Sequence, residues 1–298
     1  MKKYIIAAAS ALCIAAASAA VIFLNNNVTV MEINGIKVGK EEFKLAMNEN
    51  ISSVYSYFSG QYGTEDSTDF WQKEFDGITP EEYSKSLAKD YLIDKKCRMK
   101  LMLDNGIITD AGYARFKREL KQVNAERQRI KDSGGVIYGP VQYSEKEYDI
   151  YLMSNREIEL KRKLEQVQCS DEEILGYYNE NKDTKYKIQD TLTIDAEGQI
   201  MEFTPQLSRH DSTAYPEIYD AAYKLNDGGE CDVSLSDGET VHIRCISRKD
   251  NGYMSYDEAY DSAKEEIVNG RYDKLIEELK AEAEVRVNEA VYKRIKMD

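Results

Sequence analysis

"MEINGIKVGKEEF", residues 31–43, sets two short alternating apolar runs around an Asn-Gly pair and leads directly into a charged helix start. Asn34-Gly35 suits a two-residue turn that needs positive φ, which pairs Ile33 with Ile36 and Met31 with Val38. Beyond it, Phe43, Met47, Ile51, Val54 and Phe58 recur at spacings of 4, 4, 3 and 4, the period of a single helical stripe. Further helix starts are marked by Thr79-Pro80-Glu81-Glu82, Ser144-Glu145-Lys146-Glu147, Ser170-Asp171-Glu172-Glu173 and Ser255-Tyr256-Asp257-Glu258. In each, a hydroxyl can accept from an orphan backbone N–H while the Glu three residues on reaches back. The spacing predicts a helix from Pro80 to a stop at Gly106, one from near Thr109 to "DSGG" (132–135), and one from Ser144 toward Cys169.

From Lys185 the pattern changes to strand-type alternation around an Asp-Ala-Glu-Gly turn (186–203), a short helix "PEIYDAAYKL" (216–225) and a second strand region, 231–248. After Ser255 the chain returns to helix until about Ala283, and "EVRVN" (284–288) reads as a closing strand. In "CDVSLSDGETVHIRCI", pairing about Gly238 sets Leu235 opposite Val241, Val233 opposite Ile243 and Cys231 opposite Cys245, keeping all six on one face. That register makes Cys231–Cys245 a candidate disulfide, with two reduced buried thiols as the alternative. The fold class is α+β and helix-rich, with a small α+β insert between helices.

The chain has 298 residues, 54 acidic against 40 basic, and a formal charge of −14. That balance argues against a nucleic-acid partner, whose phosphates call for Lys/Arg-rich faces. Lys2 and Lys3 precede an uncharged run, Tyr4–Leu24. It reads as a secretory signal with "ASA" (17–19) as cleavage site, or as an uncleaved membrane anchor; the most hydrophobic part lies beyond "ASA" and favours the anchor. Either way the body is expected outside the cytoplasm. Five cysteines and two histidines match no zinc spacing, so no metal or cofactor is expected.

Several stretches resemble parvulin-type foldases of the SurA/PrsA kind, in the order that family has them: "EINGIKVGKEEF", "LMLDNGIITDAGYARFK" (101–117), "CSDEEILGYYNENKDTKYK" (169–187), "YPEIYDAAYKLNDGGECDVSLSDGETVHIRCISRKDNG" (215–252) and "SYDEAYDSAKEEIVNGRYDKLIEELKAEAEVRVN". The resemblance implies an anchor or signal (1–27), a helical chaperone module built from 28–169 and 255–298, and a parvulin-like domain (170–254) inserted between them. It implies work on unfolded or newly exported polypeptides outside the cytoplasm, with the membrane as a second partner through the N-terminal helix.

The catalytic half of the resemblance is thin. The histidine of the last parvulin strand matches His242, but the first-strand histidine falls near Asp190 or Thr191. The pocket Met and Phe fall on Ala214 and Ile218, and no Gly-rich loop like "GGDLG" is present. His242 is therefore the one relic of a proline site, or an ordinary strand residue on the face opposite Val241 and Ile243. The resemblance makes Ile218 and Tyr223 substrate-binding candidates. Tyr55 and Phe58, in the Tyr-rich stretch "ISSVYSYFSGQYG" (51–63), are groove candidates for apolar client segments, or helix core. The leading expectation is a membrane-anchored chaperone with a degenerate parvulin domain. An active peptidyl-prolyl isomerase with a minimal site and an anchored scaffold of a surface assembly are the alternatives.

Overall fold

A computed structural model describes residues 28–65 and 67–297. The expected signal or anchor, residues 1–27, lies outside the described residues; among those described, no helix is long and apolar enough to cross a membrane. The architecture is α+β and helix-rich.

The opening hairpin, β1 (Thr29–Ile33) and β2 (Ile36–Gly39), has the expected register, with Ile33 opposite Ile36 and Met31 opposite Val38. Asn34 and Gly35 take φ of 49° and 79°, the left-handed pair that a tight hairpin turn needs. The stripe that follows is not a single helix. It breaks at Asn50 (φ −93°, ψ 0°) into α1 (Lys40–Glu49) and α2 (Ile51–Tyr62). The Asn50 amide donates to Ala46 O at 2.9 Å, a local bond that competes with helix continuation. Phe43 and Met47 then enter one core with Val30, Ile33, Val38 and Leu92, while Val54 and Phe58 enter another.

Next come α3 (Pro80–Asp104), α4 (Tyr113–Asp132) and α5 (Glu145–Lys163). Capping boxes at Thr79 and Ser144 are complete, with both the hydroxyl and the glutamate bonds made. Gly106, at φ 66°, ends α3 as its position predicts. The chain closes on this unit through β7 (Val285–Val287) and α10 (Glu289–Tyr292). β7 pairs antiparallel with β1, Met31 opposite Val287 and Ile33 opposite Val285, giving the sheet order β2-β1-β7. Asn34 fastens the join twice: its N–H donates to Glu284 O and its side-chain oxygen accepts from Glu284 N, each at 2.9 Å. Ile295 is buried in the same core.

Beneath α1 lies an ion pair taken out of water. Lys96 Nζ stands 2.7 Å from Glu42 Oε1, with both side chains almost fully buried.

The second compact unit spans Val167–Gly270; the first takes in the described residues up to Gln166 and again from Arg271. In the second unit α6 (Asp171–Lys185) leads to β3 (Thr191–Ala196) and β4 (Gln199–Phe203), then α7 (Ser208–Ala214), α8 (Pro216–Ala222), β5 (Glu230–Ser234) and β6 (Thr240–Lys249). The sheet order is β4-β3-β6-β5. Ser170 caps α6, and Ser255 caps α9 (Tyr256–Ala281) through Glu258. Ala259 and Ala263 of α9 pack on Ile174 and Tyr178 of α6. The start of the returning helix is thus counted with the second unit, where a boundary at 255 gives it to the first.

The β5–β6 register differs from expectation by two residues: Val233 faces Val241, Asp232 faces His242 and Cys231 faces Ile243. The turn explains it. Leu235 N donates to Glu239 O (2.8 Å) and Gly238 N to Leu235 O (3.0 Å), with Gly238 at φ 90°. This asymmetric three-residue loop carries its glycine as a bulge, so the strands pair nearer the start of the loop than a turn centred on Gly238 would allow. A shift of two preserves which residues share a face, and Val233, Ile243 and Cys245 are all core. The cysteines, however, become diagonal neighbours, typically about 7–8 Å apart, too far for a disulfide. Cys231 and Cys245 are free thiols.

Candidate functional site

The residues that the parvulin resemblance assigns to a proline site are not brought together. His242 projects from the solvent face of β6, and its Nδ1 lies 2.7 Å from Asp232 Oδ1 on β5. Ile218 is buried in the sheet core with Leu192, Ile194, Phe203 and Ile243, on the other face from His242. Tyr223 is occupied as well: its hydroxyl donates to Asp190 O at 2.9 Å and its ring meets Tyr219 at 4.8 Å. Asp190, where a parvulin-like site needs its first histidine, instead takes the Arg248 guanidinium at 2.6 Å. That ion pair holds β3 to β6, leaving no acid–base pair over an open pocket.

The Asp232 hydrogen bond raises the His242 pKa above its ordinary 6.5, with Glu230 and Glu197 adding to it and desolvation opposing. A raised pKa means the contact is fully present only when the ring is protonated, below the unfolded value, and is lost as pH rises through the folded one. We expect an NMR titration of His242 to give a midpoint above 6.5 that moves back toward it in Asp232→Asn. A midpoint unmoved by that substitution would contradict the pairing.

Tyr55 and Phe58 are brought together in the first unit, but not in a groove. Phe58 has no exposure and sits among Tyr57, Tyr62, Phe70, Phe75 and Tyr83, with ring centroids 5.1–6.1 Å away. Tyr55 stacks on Phe70 at 4.3 Å and meets Trp71 edge-on at 5.4 Å. Edge and offset contacts of this kind are the favoured aromatic geometries. The stretch builds an aromatic box that fixes α2 to the start of α3.

The open surface of this unit lies elsewhere. A cleft of about 800 Å³ is lined by Lys40, Glu41, Lys44, Glu49, Glu145 and Lys146 among others. Two of its carboxylates, Glu41 and Glu145, face Lys117, and charged side chains dominate its lining, so it offers little to an apolar chain. A second groove, about 250 Å³, runs between α3 and α5 and is lined by Tyr91, Ile150 and Met153 with Asp94, Lys95, Arg98, Asp149, Ser154 and Glu157. Its charged residues and Tyr91 are paired with one another. Lys95 pairs with Asp149 at 2.8 Å, Tyr91 donates to Asp149 at 3.1 Å, and Arg98 bridges Asp94 (2.7 Å) and Glu157 (3.3 Å). Burial pushes the Glu157 carboxyl above its usual range, against the pull of Arg98.

Beside these pairs the groove and its margin carry apolar side chains. Ile150, Tyr151 and Ile158 on α5 are more than half exposed, and Tyr91 is 41% exposed. Contiguous exposed apolar side chains are a common feature of interaction sites. The sequence carries the α5 residues plainly, but the pairing with Tyr91, about sixty positions earlier, is set by how α3 packs on α5 and has no local signal. Among the described residues no cluster of His, Cys, Asp or Glu is arranged to hold a metal.

No family model matches the chain. It is 25% identical over 160 residues, 53% of its length, to a protein of Bifidobacterium longum named "Chaperone for lacto-N-biosidase", of which that match covers 57%. Among solved structures it is similar to SurA-like chaperones of Campylobacter jejuni, at 11% identity over 88% of this chain and 100% of the other, with a TM-score of 0.38. It is also similar to the PrsA foldase of Lactococcus lactis, at 11% identity over 89% of this chain and 96% of the other, with a TM-score of 0.24.

Proposed function

We propose that this chain, similar to the SurA-like chaperones and PrsA foldases, is an extracytoplasmic chaperone that holds unfolded exported polypeptides on its helical unit. Catalysis of proline isomerisation is not part of the reading. The observation that carries it is the α3–α5 groove, where exposed Tyr91 and Ile150 and half-buried Met153 lie beside charged side chains that are paired with one another. An extended client segment gains by burying apolar side chains there, at roughly 25 cal/mol per Å², without stripping water from an unpaired charge. A chaperone among the sequence relatives supports the reading. Lys2-Lys3 and the uncharged run Tyr4–Leu24 support export, with that segment holding the body at the membrane. Both chain ends frame the groove-bearing unit, with the α+β unit inserted between them, consistent with the β1–β7 pairing.

The test is suppression of aggregation for several unrelated unfolded proteins. We expect suppression by the unsubstituted chain and a loss of severalfold in the double variant Ile150→Asp, Met153→Asp; Ile150 is exposed and Met153 half-buried, so an unchanged urea midpoint is required of the variant before the loss is read as one of binding. Equal suppression by both would remove the groove from the account.

A second reading has one specific support. The Bifidobacterium relative is named for a single enzyme, which suggests a dedicated chaperone. In that case a single exported client is protected and unrelated ones are not.

A further inference from the structure

The loop between α4 and α5 exposes Val136 and Tyr138 while being held in place. Val136 and Tyr138 are 77% and 87% exposed, the most of any large hydrophobic side chains among the described residues, and Ile130 at the end of α4 stands beside them. Exposure on a slack loop would mean little, but this one is braced. Arg127 donates to Tyr138 O at 2.6 Å and Pro140 O at 2.9 Å, and its guanidinium covers the Tyr143 ring at 4.8 Å. Asn124 exchanges two hydrogen bonds with the Tyr143 backbone, at 2.8 and 2.9 Å. Gly135 donates to Ile130 O at 2.9 Å and sits so close that an added Cβ would meet the Ile130 side chain at 2.7 Å. The fold thus spends several fixed bonds on presenting Val136 and Tyr138 to solvent.

The charge beside this tip is weakly basic in a chain that is −14 overall: Arg127, Arg129 and Lys131 stand against Glu126 and Asp132. Arg118, Lys121, Arg129 and Lys131 are exposed along α4. Glu126 pairs with Arg129 at 2.7 Å and Asp132 accepts from Gln128, so the acids partly offset the basic surface without reversing it. A protruding tip cannot enclose a chain from two sides as the α3–α5 groove can. An aliphatic and an aromatic side chain at its end, with arginine and lysine behind them, match a flat surface that is apolar inside and anionic outside.

We propose that the 130–138 tip docks on the surface of an anionic lipid bilayer, with Val136 and Tyr138 entering the headgroup layer and Arg129 and Lys131 against lipid phosphates. Docking at this point is separate from any attachment through residues 1–27 and separate from client binding.

The test places a reporter at the tip of the full chain. Tyr138→Trp, at an 87% exposed position, is mixed with vesicles of phosphatidylglycerol or of phosphatidylcholine carrying bromines on their acyl chains. The unsubstituted chain, whose single tryptophan is Trp71, supplies the background. An N-terminal anchor would hold the chain on both vesicles, so only the introduced indole reports the tip. We expect a blue shift and quenching with phosphatidylglycerol, loss of both at high salt, and a contact weakened roughly 25-fold when Arg129→Gln and Lys131→Gln are added, at about fivefold per charge. No shift with phosphatidylglycerol, an equal shift with phosphatidylcholine, or a shift on adding an unfolded polypeptide without lipid would each overturn the proposal, the last by making the tip a client contact.

Discussion

Replacing Lys96 with Met is expected to destabilise the helical unit by about 3–5 kcal/mol. Lys96 is fully buried, and its ammonium is the partner that keeps the Glu42 carboxylate, 4% exposed, from standing alone in the core. Removing one member leaves an uncompensated buried charge, whereas the pair itself contributes little net stability over apolar residues of the same size. The double variant Glu42→Leu, Lys96→Met should therefore recover most of the loss. Urea unfolding followed by Trp71 fluorescence reads the right part of the molecule, because Trp71 lies in the aromatic cluster of the same unit. A single variant within about 1 kcal/mol of the unsubstituted chain would contradict the burial of the pair. The pair also bears on the account of function: Glu42 lies on α1 and Lys96 on α3, so it fixes a helix that forms one wall of the groove.

Phe58→Ala is the second large effect, at about 3–5 kcal/mol for a fully buried phenylalanine. Five aromatic rings lose their common neighbour, and the void cannot close without moving α2 or the turn at Phe70–Gln72. The same denaturant titration measures it. A variant with undiminished stability but weaker client binding would return Phe58 to the role of groove residue.

The parts of this fold written in adjacent residues were legible in the sequence. A capping box needs only a hydroxyl and a glutamate three positions apart, and the Asn-Gly turn fixes its own register, so these elements were readable from local chemistry. The β5–β6 pairing failed at the point where local chemistry divides: "SLSDGET" accommodates either a turn centred on Gly238 or an asymmetric loop with Gly238 as a bulge. The faces survived because the two registers differ by an even number. Asn50 interrupted a stripe whose apolar spacing continued through it, since a side-chain bond to the backbone leaves no trace in a hydrophobic pattern. The Glu42–Lys96 pair and the meeting of Tyr91 with Ile150 join residues more than fifty positions apart, and no period connects them. Tyr55 and Phe58 show the opposite case, since a Tyr-rich stretch reads equally as wet groove or as aromatic core. Only the packing of Phe70, Phe75 and Tyr83 around Phe58 decides between them.

His242 drew attention as the last residue of a catalytic set, and its surroundings account for it without catalysis. It is a cross-strand partner of Asp232 on an exposed face, and Asp190 is committed to Arg248. We propose that client binding takes place in the helical groove. One measurement tests it most directly: aggregation of an unfolded exported protein, followed by light scattering, with the unsubstituted chain, the Ile150→Asp, Met153→Asp variant and His242→Ala run side by side. The account predicts full protection by the unsubstituted chain and by His242→Ala, and protection reduced severalfold in the groove variant. Protection that survives in the groove variant and falls in His242→Ala would contradict it.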